Sequence, residues 1–168
     1  QRYYTTNNIS QGDILFLDSE QYLSEITSPR SQHYKRKRIV MQGITGVNEK
    51  YRLKMAILDE GYFCANSVNY LVLDGDFEYI LGICNSKLMN WFFKKLSTNS
   101  NVNGYEIDNL PITIAKDGIK EELSKMVSLL LENLLENADE MEKKIDELIY
   151  NIYCLTNFEI EIIERASK

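Results

Sequence analysis

Two kinds of side chain in this sequence have the chemistry to meet a polyanion: a block of bases and a cluster of amides. Lys35, Arg36, Lys37 and Arg38 are consecutive. Four adjacent cations repel one another and gain little as a structural element, whereas phosphates would attract them. Further on, Lys50, Arg52 and Lys54 alternate. On an extended strand that alternation puts all three on one face, able to track a backbone or enter a groove. Arg52 is the base-reading candidate, because a guanidinium can bond guanine O6 and N7 together. The stretch Ser97 to Gly104 carries Asn99, Asn101 and Asn103, and a carboxamide can pair with adenine N6 and N7 in the same two-pronged way. Each feature also has a plainer reading: a solvated surface run, polar alternation on a half-buried strand, and ordinary loop composition.

Catalytic chemistry has less to stand on. Asp74, Asp76 and Glu78 have the spacing of a carboxylate set that could hold magnesium in a nuclease, yet Asp74-Gly75-Asp76 fits a turn better. Cys64, Cys84 and Cys154 lie far apart, and His33 is the only histidine, so a zinc set of four convergent ligands is not expected. The cysteines read as core residues of a reducing compartment. With no apolar run near 18 residues and no signal-like start, a cytoplasmic protein is expected. The sequence has no P-loop and no G-x-S-x-G. No catalytic, cofactor-binding or metal-binding residue is expected in this chain. His33 and Tyr34 could stack beside the basic run, while Trp91, Phe92 and Phe93 read as core, with Lys94-Lys95 reaching solvent.

Net charge over the 168 residues is −6, which alone argues against nucleic acid. The charge is unevenly placed. Residues 28–54 hold eight bases against one acid, Glu49, for a local +7; residues 117–168 hold 13 acids against 6 bases, for a local −7. A local field decides how a protein meets phosphates. The basic region would face a duplex and the acidic end would face solvent or a partner.

The elements that must position these residues follow from apolar period. Asp13 to Leu17 reads as a short buried strand, Arg38 to Gln42 as a strand emerging from the basic run, and residues 50–58 as a strand or short helix. Tyr62 to Ala65 and Tyr70 to Leu73 are strand-like, bounded by Asn66, Asn69 and Asp74-Gly75-Asp76. Phe77 to Leu96 reads as one or two helices, the second capped near Asn85 or Ser86. Tyr105 to Ile114 reads as a strand or extended segment. After Lys116 a broad apolar stripe runs from Ile119 to Leu135, a second helix covers 138–153, and Thr156 with Glu159 forms a capping box for a last helix over 157–165. The predicted fold class is α+β: a small β-containing domain over 1–115, then a helical segment over 116–168.

Three stretches resemble a known family. The first is Lys37-Arg38-Ile39-Val40-Met41-Gln42-Gly43-Ile44. The second is Tyr62-Phe63-Cys64-Ala65-Asn66-Ser67-Val68-Asn69, followed by Tyr79-Ile80-Leu81-Gly82-Ile83-Cys84-Asn85-Ser86-Lys87-Leu88. The third is Leu110-Pro111-Ile112, followed by Ile145-Asp146-Glu147-Leu148-Ile149-Tyr150-Asn151-Ile152-Tyr153-Cys154-Leu155-Thr156. In order and spacing they are similar to the TaqI-like C-terminal specificity domain of restriction–modification methyltransferases, over roughly residues 30–165. The resemblance implies sequence-specific recognition of double-stranded DNA on behalf of an adenine methyltransferase, with or without an endonuclease. It also implies an N-terminal methyltransferase domain of the same parent protein as partner, with S-adenosylmethionine, and magnesium if the parent cleaves DNA, serving that parent. The glycine-rich cofactor motif and N-P-P-[YF] catalytic motif of the methyltransferase part do not occur in this sequence. The expectation is therefore a DNA-recognition module that is not catalytic alone. The alternatives are a structural or interaction module docking through its acidic helices, and a nuclease fragment.

Overall fold

The computed structural model describes Glu20, Leu23, Ser24, and residues 28–132 and 137–167. The strand expected at Asp13 to Leu17, and Leu134 and Leu135 of the apolar stripe, lie outside the described residues. A short 3-10 helix, Pro29–Lys35, leads into strand β1 (Arg38–Gln42). Strands β2 (Met55–Leu58) and β3 (Val68–Val72) flank β1 in the order β2-β1-β3, both antiparallel to it. Six helices follow: α1 (Phe77–Cys84), α2 (Lys87–Leu96), α3 (Gly104–Asp108), α4 (Asp117–Leu131), α5 (Ala138–Ile152) and α6 (Asn157–Ala166). The α+β class read from the sequence is the observed one.

The register explains why β1 is apolar on both sides. Ile39 sits between Ile57 and Leu71, and Met41 faces Met55; this side packs into the main core beneath the helices. Val40, one residue along, sits between Ala56 and Tyr70 and joins a second cluster with Leu58, Cys64 and Val68. Alternation of side chains across the pleat sorts the two sets.

The main core is continuous from the sheet into the C-terminal helices. Ile39, Met55, Leu81, Met89, Leu123, Ile145, Ile149 and Ile163 all belong to it. The closest approach is at Gly82 on α1, where a Cβ would lie 2.9 Å from Val127 Cγ2 and 3.3 Å from Leu123 Cδ1 of α4. Only a glycine lets the two helices come this near. At the other end of the bundle, Lys87 at the start of α2 is fastened to the tail. Its backbone N–H donates to Asp146 Oδ1 (3.0 Å), and its ammonium reaches Glu164 at 2.8 Å, an acid that also accepts from the Tyr150 hydroxyl. Asp146 on α5 is 1% exposed, so α2, α5 and α6 meet at a buried, charge-assisted joint.

Three expectations need correction. Residues 50–54 are not strand. Their backbone bonds go instead to the buried carboxamide of Asn90 on α2, whose Oδ1 accepts from the Arg52 and Leu53 N–H groups (2.7 and 3.4 Å) and whose Nδ2 donates to the Lys50 carbonyl (2.9 Å). Asn85 does the same for β2, bonding both N–H and C=O of Met55 at 2.9 Å. Tyr62 to Ala65 is not strand either, because the Arg38 guanidinium takes the Tyr62 carbonyl and lies against Cys64 Sγ. Tyr105 to Ile114 begins as helix α3, opened by a capping box between Asn103 and Glu106. The rest of that stretch is extended as expected, latched by two phenols. Tyr79 donates to the Thr113 carbonyl and accepts from Ala115 N–H, and Tyr153 donates to Pro111.

Candidate nucleic-acid interface

The sheet sorts the candidate residues into two groups at opposite ends. Lys35 to Arg38 enter β1 at one end, while the segments after Gln42 leave at the other, about 15 Å away along a five-residue strand.

At the first end the basic block is largely spoken for. Arg36 pairs with Asp74 at 2.6 Å and also donates to the Leu73 carbonyl. Lys37 pairs with Glu78 at 3.3 Å and lies over the Phe77 ring. Arg38 is 2% exposed, faces the Tyr70 ring and serves the Arg36 and Tyr62 carbonyls. Arg38 is thus placed inside the fold, not on the surface where a phosphate contact is expected. A run of four bases gains structure here because acids of the β3–α1 turn come to meet it. Lys35 is exposed, over Tyr34, and Arg30 is exposed nearby. His33 bonds the Tyr70 hydroxyl at 3.1 Å, and Tyr34 stacks on Phe63 with centroids 4.6 Å apart. Arg30, His33, Tyr34 and Phe63 line a groove of about 580 Å³ beside β3, together with Asn66, Asn69 and Asp108.

The same pairing settles the carboxylate set. Asp74 holds Arg36, Asp76 holds Lys120 at 2.7 Å and Glu78 holds Lys37. Asp76 has φ 59°, the left-handed region, and is the N-cap residue of α1, its carbonyl accepting from Ile80 N–H while its side chain makes no cap bond. Among the described residues no three His, Cys, Asp or Glu side chains group to hold a metal ion. Burial pushes the Cys84 thiol up to about 12, and burial also raises Cys64 despite the Arg38 charge beside it.

At the second end two loops that are remote in sequence are joined. Thr45 N–H donates to the Ser100 carbonyl (2.7 Å) and Val102 N–H donates to the Gly43 carbonyl (2.9 Å). Ile44 and Asn101 bridge as an antiparallel pair. The result is a short two-stranded ribbon of 43–45 and 100–102 that extends the β1 end of the sheet. Asn69 of β3 donates its side-chain amide to the Val102 carbonyl, fixing the ribbon to the sheet.

Arg52 locks it from beneath. Its Nε donates to Thr45 Oγ1 (3.3 Å), Nη1 to the Ser97 carbonyl (3.0 Å) and Nη2 to the Asn99 carbonyl (2.6 Å), while the guanidinium lies 5.0 Å from the Phe93 ring centroid. At 2% exposure its guanidinium is turned inward beneath the two loops, not out at the surface where a base-reading side chain is expected. The sequence shows the bidentate geometry of a guanidinium but not which carbonyls converge on it.

The amides divide likewise. Asn103 is the N-cap of α3; both its backbone N–H and its side chain donate to Glu106 Oε2 (2.8 and 3.0 Å). Burial opposes the charge on Glu106, but these bonds together with the Arg52 charge hold its carboxyl below the ordinary range. Asn99 folds back so that its Oδ1 accepts from Asn101 N–H (2.9 Å). Asn101 itself is exposed. Lys50 is exposed at the ribbon's base, Lys54 pairs with Glu49 at 3.7 Å, and Lys94 of α2 donates to the Glu49 carbonyl at 3.0 Å. Of these residues Asn99 bonds Arg52 through its carbonyl, while Lys54 meets Glu49, as does Lys94, which the sequence leaves as an unassigned surface charge. Its signal is its place in the last turn of an amphipathic helix, where basic side chains reach outward past the core.

No helix among the described residues is long and apolar enough to cross a membrane. No curated protein matches the chain at a significant level. A family model described as the TaqI-like C-terminal specificity domain matches residues 1–112.

Proposed function

The chain belongs to the TaqI-like C-terminal specificity domain family, and we propose that it reads double-stranded DNA in sequence-specific fashion for a restriction–modification enzyme. The observation that carries this reading is the ribbon end. Two loops remote in sequence are joined by two backbone bonds about one antiparallel bridge, with Lys54 and Lys94 meeting at nearby Glu49 and with Ile44 and Asn101 exposed. A two-stranded ribbon is one of the two backbone shapes that the major groove admits. Lysines beside it supply the phosphate contacts that hold register without reading sequence. Lys35 and Arg30, at the far end of the sheet, would reach the backbone further along the duplex.

Methyl transfer belongs to another part of the parent protein in this reading. An adenine methyltransferase domain, N-terminal to this one, would bind S-adenosylmethionine and supply the methyl group. Magnesium, if the parent also cleaves DNA, would serve that parent's nuclease part; Asp74, Asp76 and Glu78 here are each paired with a base. Phe158 and Ile162, one turn apart on α6 and exposed, are an apolar surface offered to the methyltransferase part.

The test is a salt titration of binding to a recognised duplex and a scrambled one, using the whole protein that carries this chain. Lys50→Ala with Lys94→Ala should weaken both duplexes by similar factors and reduce the salt slope by roughly 0.9 for each phosphate that is no longer neutralised. An unchanged slope in the folded double variant would remove the ribbon end from the interface.

A further inference from the structure

We infer that Ile44 and Asn101 act as a pair that reads an A·T base pair from the major groove; this rests on the proposed DNA-reading role. The argument begins with hydrogen-bond phase. The two bonds of the ribbon run from Thr45 to Ser100 and from Val102 to Gly43. They bracket the Ile44–Asn101 pair without involving either residue. That is the narrow, non-hydrogen-bonded type of antiparallel pair, in which the two side chains are closest and stand on the same side.

Alternation then separates inside from outside. Thr45 and Val102, the next residue on each strand, are buried, and Thr45 carries the Arg52 contact. Ile44 and Asn101 must therefore point away. Ile44 is 63% exposed, and the Asn101 side chain is exposed with no hydrogen-bond partner among the described residues. A large aliphatic side chain at the tip of a polar loop does not stabilise this fold, and neither does an unbonded carboxamide beside it.

The two groups match one ligand. The only apolar group on a major-groove base edge is the thymine 5-methyl, and a carboxamide pairs two-pronged with adenine N7 and N6. An A·T pair presents both across a single step. Lys50 at the ribbon base lies where flanking phosphates would run. Guanine or cytosine would leave Ile44 without its methyl contact and would mismatch the donor and acceptor of Asn101.

The experiment first determines the bound sequence by selection from a random duplex library, using the whole protein. Each A·T pair of that sequence is then replaced singly by one with deoxyuridine for thymidine, which lacks the 5-methyl, or 7-deazaadenine for adenine, which lacks N7. At one position the native protein should lose roughly threefold to fivefold for the missing methyl and about tenfold for the missing acceptor. Ile44→Ser should abolish the response to deoxyuridine there and leave the 7-deazaadenine response. Asn101→Ala should do the reverse. Both positions are exposed, so circular dichroism and thermal melting should match the native protein. Sequence-specific binding with both responses unchanged in both variants would overturn the Ile44–Asn101 assignment and leave the DNA-reading role standing. Absence of any sequence-specific binding by the native protein would overturn both.

Discussion

Replacing Arg52 by methionine tests whether the ribbon is held by its buried guanidinium. Methionine fills much of the same volume, so the change isolates the polar contacts from the packing. Three acceptors lose their donor: Thr45 Oγ1, the Ser97 carbonyl and the Asn99 carbonyl. Each bond to a charged donor contributes about 1.5–3 kcal/mol net, and leaving a buried acceptor unpaired costs about 1–3 kcal/mol. Removing a buried charge recovers part of that through its desolvation. A net loss of about 3 kcal/mol follows, which for a chain of 168 residues lowers Tm by roughly 6–12 °C. The loss should be local as well as global. Amide exchange at Thr45 and Val102, the two ribbon donors, should accelerate more than exchange at Ile39 in the central strand. Arg52→Lys keeps the charge but cannot span three acceptors, so it should fall between methionine and the native protein. Urea denaturation and hydrogen exchange read both effects. A loss under about 1 kcal/mol with unchanged protection at Thr45 and Val102 would refute the lock.

Other sites give independent tests. Asp146→Ala leaves the first N–H of α2 without its acceptor at a buried joint and the Lys87 ammonium with Glu164 alone, and should cost about 1–3 kcal/mol by denaturant titration. Gly82→Ala pushes a methyl into Val127 and should cost about 1–3 kcal/mol through overpacking, with the same assay. Glu106 has its carboxyl held below its ordinary value of 4.5. Its stabilisation is therefore present above that value and lost as pH falls through the lowered one. Glu106→Gln should flatten the acid limb of a stability–pH curve below about pH 4.5. In the native chain a maleimide should label exposed Cys154 first and Cys64 slowly. Cys84, with its buried thiol near 12, should react only on unfolding; mass spectrometry of timed quenches reads the order.

The helical half of the molecule is legible in the sequence because period and caps agree. The apolar stripe after Lys116 marks α4, and Thr156 with Glu159 opens α6 through both bonds of the predicted capping box. Ser86 caps α2 through its hydroxyl at 3.1 Å from Met89 N–H, as expected from its place before the stripe. Helix α3 carries the same kind of signal in Asn103 and Glu106, but its five residues are too few for a period to show. What stays hidden is every decision made by a partner distant in sequence. Lys50 to Lys54 looks like an alternating strand, and only the arrival of Asn90, about forty positions later, gives its backbone another partner. Arg38 and Arg52 look like DNA contacts because cations are seldom buried. Each is buried here because carbonyls from other segments converge on its guanidinium, and no local pattern announces that convergence.

The alternation along the ribbon has a consequence for how such a protein can change its target. Thr45 and Val102 hold the strands to the body, while Ile44 and Asn101, on the opposite side, carry none of that burden. Substitutions at 44 and 101 should therefore be nearly free of folding cost, whereas those at 45, 52 and 102 are constrained. A library randomised at only the two outward positions would sample new contact chemistry on an intact frame, and most of its members should remain folded.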